Sequence, residues 1–262
     1  MRRLPAAAFV FLASFCALGF LALPVVAIFS RVSPARLVGQ LGNPVVTDAL
    51  LVSIRTTLVA QALVLALGTP AAYVLATRRF HGRSLLVTLV ELPLVLPPAV
   101  AGIGLLAAFG RVGLLETRIP FTQTAVVLAV SFVASPLYVR AAIAAFEGID
   151  ANVVAASRTL GAGPVRTFFR VVLPLARGGL GAGAALAFAR GLGEFGATIM
   201  FAGSLRGVTQ TLPLAVYAEF DVNFDVALAV SALLVVISAA LLVTLKWLPS
   251  ASTSRFRFAT SS

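Results

Sequence analysis

Long apolar runs, separated by short polar stretches, set the pattern of this chain. Six runs reach the roughly 18 residues that a helix needs to cross a bilayer: residues 4–29, 50–77, 85–109, 123–146, 173–202 and 226–248. The expected architecture is an all-α, polytopic membrane protein with six transmembrane helices. The first run exceeds the apolar core of a secretory signal, and no clear small-residue cleavage site follows it, so it reads as a retained helix. A polar tail over 250–262 closes the chain, leaving 1–249 as one membrane domain.

The longest polar island, residues 150–174, has an internal plan. Asp150 suits the N-cap of a short helix running to Leu160. Gly161-Ala162-Gly163 breaks that helix, and Pro164 fits the first position of a second one. In the second helix Val165, Phe168, Phe169 and Val172 share a face, with Arg166 and Arg170 on the other. The result is a bent helical hairpin between membrane segments, the shape of a knob that another protein grips. A second stretch, 206–221, carries Leu212, Ala215, Val216 and Phe220 in helical register and is expected at the outer interface.

Composition agrees with the membrane reading. The chain of 262 residues is 60% hydrophobic and 11% charged, with a mean hydropathy of +1.04. Soluble domains carry roughly twice that charged fraction. A formal net charge of +11 suggests nucleic acid in a soluble protein; here the cations sit at membrane ends, and no nucleic-acid partner is expected. Arg2, Arg3, Arg78, Arg79, Arg83, Arg140, Arg158, Arg166, Arg170, Arg177, Lys246, Arg255 and Arg257 fall on one side. Arg31, Arg36, Arg55, Arg111, Arg118 and Arg206 fall on the other. The positive-inside rule then puts both termini and the hairpin in the cytoplasm. The single cysteine, Cys16, lies in the first apolar run and has no internal partner.

Two membrane segments carry chemistry. Glu91-Leu-Pro93-Leu-Val-Leu-Pro97-Pro98 lacks three backbone donors, so this helix is expected to break. Carbonyls freed at that depth must face protein or water, and both a cavity-lining role and a plain packing kink stay open. In Ala189-Arg190-Gly-Leu-Gly-Glu194-Phe-Gly196-Ala-Thr198, Arg190 lies near mid-depth. An ionisable group there is costly enough to require a partner. Glu194, at i,i+4, is one candidate, and Glu91 is another. Either a gate on an anion path or a structural ion pair fits. Gly179 and Gly183 form a Gly-x-x-x-Gly pair that allows close helix contact or gating flexibility. No P-loop, zinc-protease or Gly-x-Ser-x-Gly motif is present. His81 sits in an arginine-rich turn without a second metal ligand nearby. Neither a catalytic nor a metal-binding residue is expected.

The island Ala155-Ala156-Ser157-Arg158-Thr-Leu160-Gly161-Ala162-Gly163, followed by Phe-Phe-Arg-Val-Val-Leu-Pro174, resembles the cytoplasmic signature loop of ABC-importer permeases. The family's Glu falls on Ala155, or on Val154, so the usual acidic residue is absent. Leu-Pro93-Leu-Val-Leu-Pro97-Pro98, the Arg190–Glu194 string and Thr-Gln-Thr-Leu-Pro213 are similar to segments of molybdate permeases, in the same order. The likeness runs from about Leu85 to Leu248; 4–77 matches by hydropathy alone. The resemblance implies a type I ABC-importer permease fold and a transport subunit without enzymatic chemistry. Its cargo would be an oxyanion, molybdate or tungstate, with sulfate and thiosulfate carriers as near relatives. It also implies a second copy of the chain, a cytoplasmic ABC ATPase dimer holding ATP and Mg, and an extracytoplasmic oxyanion-binding protein. The location would be a prokaryotic plasma (inner) membrane. Without the resemblance two other classes stand: an ion-coupled secondary transporter relaying through Glu91, Arg190 and Glu194, and a structural membrane protein. The absence of an internal repeat weighs against the former.

Overall fold

A computed structural model describes residues 4–31 and 34–247. The tail expected over 250–262, together with Arg2, Arg3, Arg255 and Arg257, lies outside the described residues. Within them the regular structure is helical: α1 (Leu4–Arg31), α2 (Pro34–Gln40), α3 (Pro44–Thr77), α4 (Arg83–Val95), α5 (Pro98–Phe109), α6 (Gln123–Glu147), α7 (Ala151–Thr159), α8 (Pro164–Leu192), α9 (Gly196–Ala202), α10 (Leu212–Glu219) and α11 (Phe224–Trp247). Five of these (α1, α3, α6, α8 and α11) are long and apolar enough to cross a membrane.

The third expected span is a bent pair. The helix axis bends by 116° between α4 and α5, across Leu96-Pro97. Leu96 is extended, as a residue before proline tends to be, and Pro98 opens α5 at its first turn. The pair still completes one crossing. Arg83, at the start of α4, binds Glu147, at the end of α6, at 2.7 Å. The two ends therefore share a face of the bundle. α6 crosses once, so the chain between Arg83 and Gln123 must cross too. That brings the candidate crossings to six.

Small residues build the centre. Ala60, Val64, Gly68 and Ala72 recur every fourth position on the face of α3 that meets α6. A Cβ on Gly68 would come within 3.0 Å of the Tyr138 ring. On α8, Cβ atoms at Gly179 and Gly183 would each stand 2.6 Å from an alanine Cβ of α6, Ala145 and Ala141. The Gly-x-x-x-Gly pair is thus a packing surface. Lipid gives helices no hydrophobic drive to associate, and close backbone approach substitutes for it. One apolar cluster gathers Phe201, Val126, Val130 and Ala101; another gathers Tyr138, Phe146, Val172 and Ala142 toward the hairpin.

Three expectations on element limits change. The second span starts earlier, at Pro44, where Asn43 Oδ1 accepts the Val45 N–H at 2.9 Å. This helix is about 51 Å long at 1.5 Å per residue, well over the ~30 Å of hydrocarbon. The fifth run, 173–202, is interrupted: α8 ends at Leu192, and α9 begins at Gly196. Finally, α10 is packed into the bundle by more than the face expected. Leu212 and Ala215 are fully buried against α3 and α11, and the Leu212 N–H donates to Ser53 Oγ at 2.7 Å. Val216 is half-buried and Phe220 exposed.

Candidate functional site

The hairpin forms where expected, from local chemistry. Asp150 Oδ1 accepts the Asn152 N–H at 2.8 Å and caps α7. At the other end the Gly161 N–H donates to Arg158 O at 2.9 Å, and the Ala162 N–H donates to Ser157 O at 3.1 Å. This pair of bonds is a Schellman motif, which needs a left-handed residue after the helix. Gly161 supplies it with φ +85°. Gly163 precedes Pro164 at the start of α8. Ser157 Oγ and Thr167 Oγ1, 3.1 Å apart, tie the two arms together.

The second arm does not stop at Pro174. It continues through a π-helical stretch, Phe168–Val172, into the membrane helix, so movement of the tip is joined to a span without a hinge loop. The apolar face expected on this arm is divided. Phe168 and Val172 turn inward, Phe168 making edge contact with Tyr73 (4.8 Å between ring centroids). Val165 and Phe169 turn outward, as does Leu160 at the C-cap; these three are 71%, 60% and 88% exposed. The tip is an apolar knob on a packed base. Ala155, Ala156, Ser157 and Arg158 lie along α7, and Leu160, Gly161, Ala162 and Gly163 form the turn. Val154 is packed against the base, while Ala155 is exposed.

Arg190 lies in the last turn of α8, and Glu194 lies within the α8–α9 interruption. Arg190 Nη1 is 2.7 Å from Glu194 Oε2, with side chains 35% and 1% exposed. The other oxygen, Oε1, accepts the Ala197 N–H at 2.8 Å. The cation therefore lies in the last turn of α8 and the anion at the start of α9, where each helix end favours that charge. Glu91, the other candidate partner, is engaged elsewhere. It pairs with Arg140 at 3.2 Å, both partly exposed. Arg140 was legible only as a cation near the end of a span; its pairing needs the fold. Arg55 also changes place. Because α3 starts at Pro44, it lies eleven residues inside a helix, exposed beside Leu51, Ile54 and Leu58.

The two interruptions meet in space. A Cβ on Gly196 would touch Pro98 Cβ at 2.8 Å, and one on Gly102 would strike Ala197 O at 2.6 Å. Pro98 thus meets Gly196, two residues after Glu194, whereas Pro97 is exposed at the bend and Pro93 stays within α4. Sequence order gave no hint of this junction.

Known proteins extend the picture. Residues 65–255 match the family described as "Binding-protein-dependent transport system inner membrane component". The molybdenum transport system permease protein of Mycobacterium tuberculosis is 46% identical over 88% of this chain and 90% of its own length. A probable molybdenum ABC transporter permease of Haloferax volcanii is 41% identical over 82% of this chain and 83% of its own. Among solved structures, a bacterial ABC transporter that imports alginate matches with TM-score 0.66 at 16% identity, covering 94% of this chain and 95% of that one. The inward-facing MetNI methionine ABC transporter matches with TM-score 0.62 at 20% identity, over 78% and 94%. These two likenesses speak to the fold, and their fold is the one derived above. The six crossings, the knobbed hairpin between α6 and α8, and the family match over most of the chain agree: this protein is a multi-pass membrane protein of the binding-protein-dependent transport system inner membrane component family, the permeases of ABC importers.

Proposed function

We propose that this chain is the membrane-spanning permease subunit of an ATP-driven oxyanion importer whose cargo is molybdate, with tungstate as its chemical twin. The observation that carries this reading is the 46% identity, nearly end to end, to a permease named for molybdenum transport. The working unit is a pair of these chains facing one another, two ATPase subunits on the cytoplasmic side, and an external binding protein. The exposed Leu160, Val165 and Phe169 enter a groove on the ATPase. ATP-driven closure of the ATPases pulls the hairpins, and the unbroken run from Pro164 to Leu192 carries that pull into the bundle. Arg190 and Arg140 are each already tied to a carboxylate. Bond-breaking chemistry belongs to the ATPase.

Reconstitution tests this. The permease, its ATPase and its binding protein in proteoliposomes should accumulate radiolabelled molybdate only with ATP and Mg inside, and excess sulfate should compete poorly. Uptake without ATP would point to an ion-coupled carrier instead. Preferential uptake of sulfate would move the cargo assignment to the sulfate branch.

A further inference from the structure

Behind the hairpin lies a cavity of about 700 Å³ that the transport reading does not use. Its floor is apolar: Tyr73, Phe146, Val172 and Val154. Its rim carries Arg78 and Arg79, from the turn after α3, and Arg158, from α7. One carboxylate, Glu147, also lines it, but that group is held by Arg83 at 2.7 Å. Arg83 in turn donates through Nε to Leu75 O at 2.6 Å, so its guanidinium is anchored away from the rim. Among the described residues no carboxylate pairs with Arg78, Arg79 or Arg158. Ala155, where the resembled signature carries its Glu, forms part of the wall. Three uncompensated guanidiniums therefore surround an apolar pit.

That combination selects its occupant by chemistry. Guanidinium groups favour phosphate-like oxygens, which accept paired N–H donors. A free tetrahedral oxyanion would leave most of the pit against bare apolar wall. A phospholipid satisfies both parts. The cavity lies at the ends of α3 and α6, where spans meet the interface and where basic pockets between helices bind anionic headgroups. We propose that this cavity holds the headgroup of an anionic phospholipid, with its phosphate on Arg78, Arg79 and Arg158 and its glycerol and upper acyl carbons on Tyr73, Phe146 and Val172. The lipid braces the base of the hairpin against the bundle. The proposal does not depend on which oxyanion is carried.

Native mass spectrometry of the purified full chain, delipidated and titrated with phosphatidylglycerol or phosphatidylcholine, tests it. Each arginine near a headgroup is worth about fivefold in binding. Phosphatidylglycerol should bind at least about tenfold more tightly than phosphatidylcholine, and R78Q/R79Q should erase most of that preference. Ala155→Glu keeps all three arginines and adds one carboxylate to the wall; it should cost about fivefold or more, with melting in phosphatidylcholine unchanged. Arg177→Gln, outside the cavity, should leave the preference intact. Equal binding of the two lipids, or a preference that survives R78Q/R79Q and Ala155→Glu, overturns the proposal. Displacement of the lipid by equimolar inorganic phosphate or molybdate would make the cavity a free-oxyanion site. Loss of the lipid on adding the ATPase subunit would give the cavity to a protein partner. Either result also overturns it.

Discussion

Glu194 is held through both oxygens, one by a guanidinium and one by a backbone N–H. This carboxylate serves the helix break first, because its removal would orphan the start of α9. Arg190→Gln should leave it buried beside a single N–H donor and lower stability by about 2–3 kcal/mol; a third of the arginine is exposed, which moderates the loss. In R190Q/E194Q the glutamine oxygen can still accept from Ala197, so melting temperature and molybdate uptake should both return. A double variant that is stable but dead in proteoliposomes would assign Arg190 to the anion path. Gly161 offers a second residue-scale case. Nothing lies within 4 Å of a Cβ built there, but φ is +85°. Gly161→Ala should therefore cost only about 1–2 kcal/mol of local strain, while Gly161→Trp adds bulk at the knob. The tryptophan variant should co-purify poorly with the ATPase while the membrane protein itself survives; undiminished co-purification and uptake would refute the knob. Asp150, Gly161 and Pro164 could be read from sequence because caps and turns are decided within a few residues. The pairing of Glu91 with Arg140 could not, since it joins positions on two helices.

At the scale of elements, hydropathy located the crossings but not their interruptions equally well. Pro97-Pro98 announces the α4–α5 break through its missing donors. The α8–α9 break has no proline. Its Gly191-Leu192-Gly193 step lies in one apolar run, and a hydropathy window passes straight through it. The π-helical stretch was equally silent, and with it the division of the apolar face into inward Phe168 and outward Phe169. Glycine density, by contrast, becomes a concrete surface in the structure. Gly183 faces Ala141 with no room for a side chain. Gly183→Val should force α6 and α8 apart and cost about 1–3 kcal/mol or more by overpacking. Thermal melting should show that loss, and Gly183→Ala combined with Ala141→Gly should recover most of it. A valine variant that melts like the parent would mean that this crossing is not tight.

The whole molecule is held in register by contacts between distant ends, and these bear on how many times the chain crosses. Arg83–Glu147 places the start of α4 beside the end of α6. The Phe121 N–H donates to Phe201 O at 3.4 Å, and Arg206 pairs with Asp48 at 3.3 Å; both contacts lie at the opposite end. The hairpin end also carries the denser set of arginines, including Arg158, Arg166, Arg170 and Arg177, so it should face the cytoplasm. Reporter fusions after His81 and after Asp150 should read cytoplasmic, and fusions at Glu116 and Arg206 should read external. The reading at Glu116 tests the bent pair: a cytoplasmic signal there would make α4–α5 a re-entrant loop and would contradict the Arg83–Glu147 contact. The reading at Asp150 tests the lever: an external signal would put the apolar knob out of reach of any ATPase. The prediction turns on geometry more than on charge counting, because two ends joined by an ion pair must lie on the same side of the membrane.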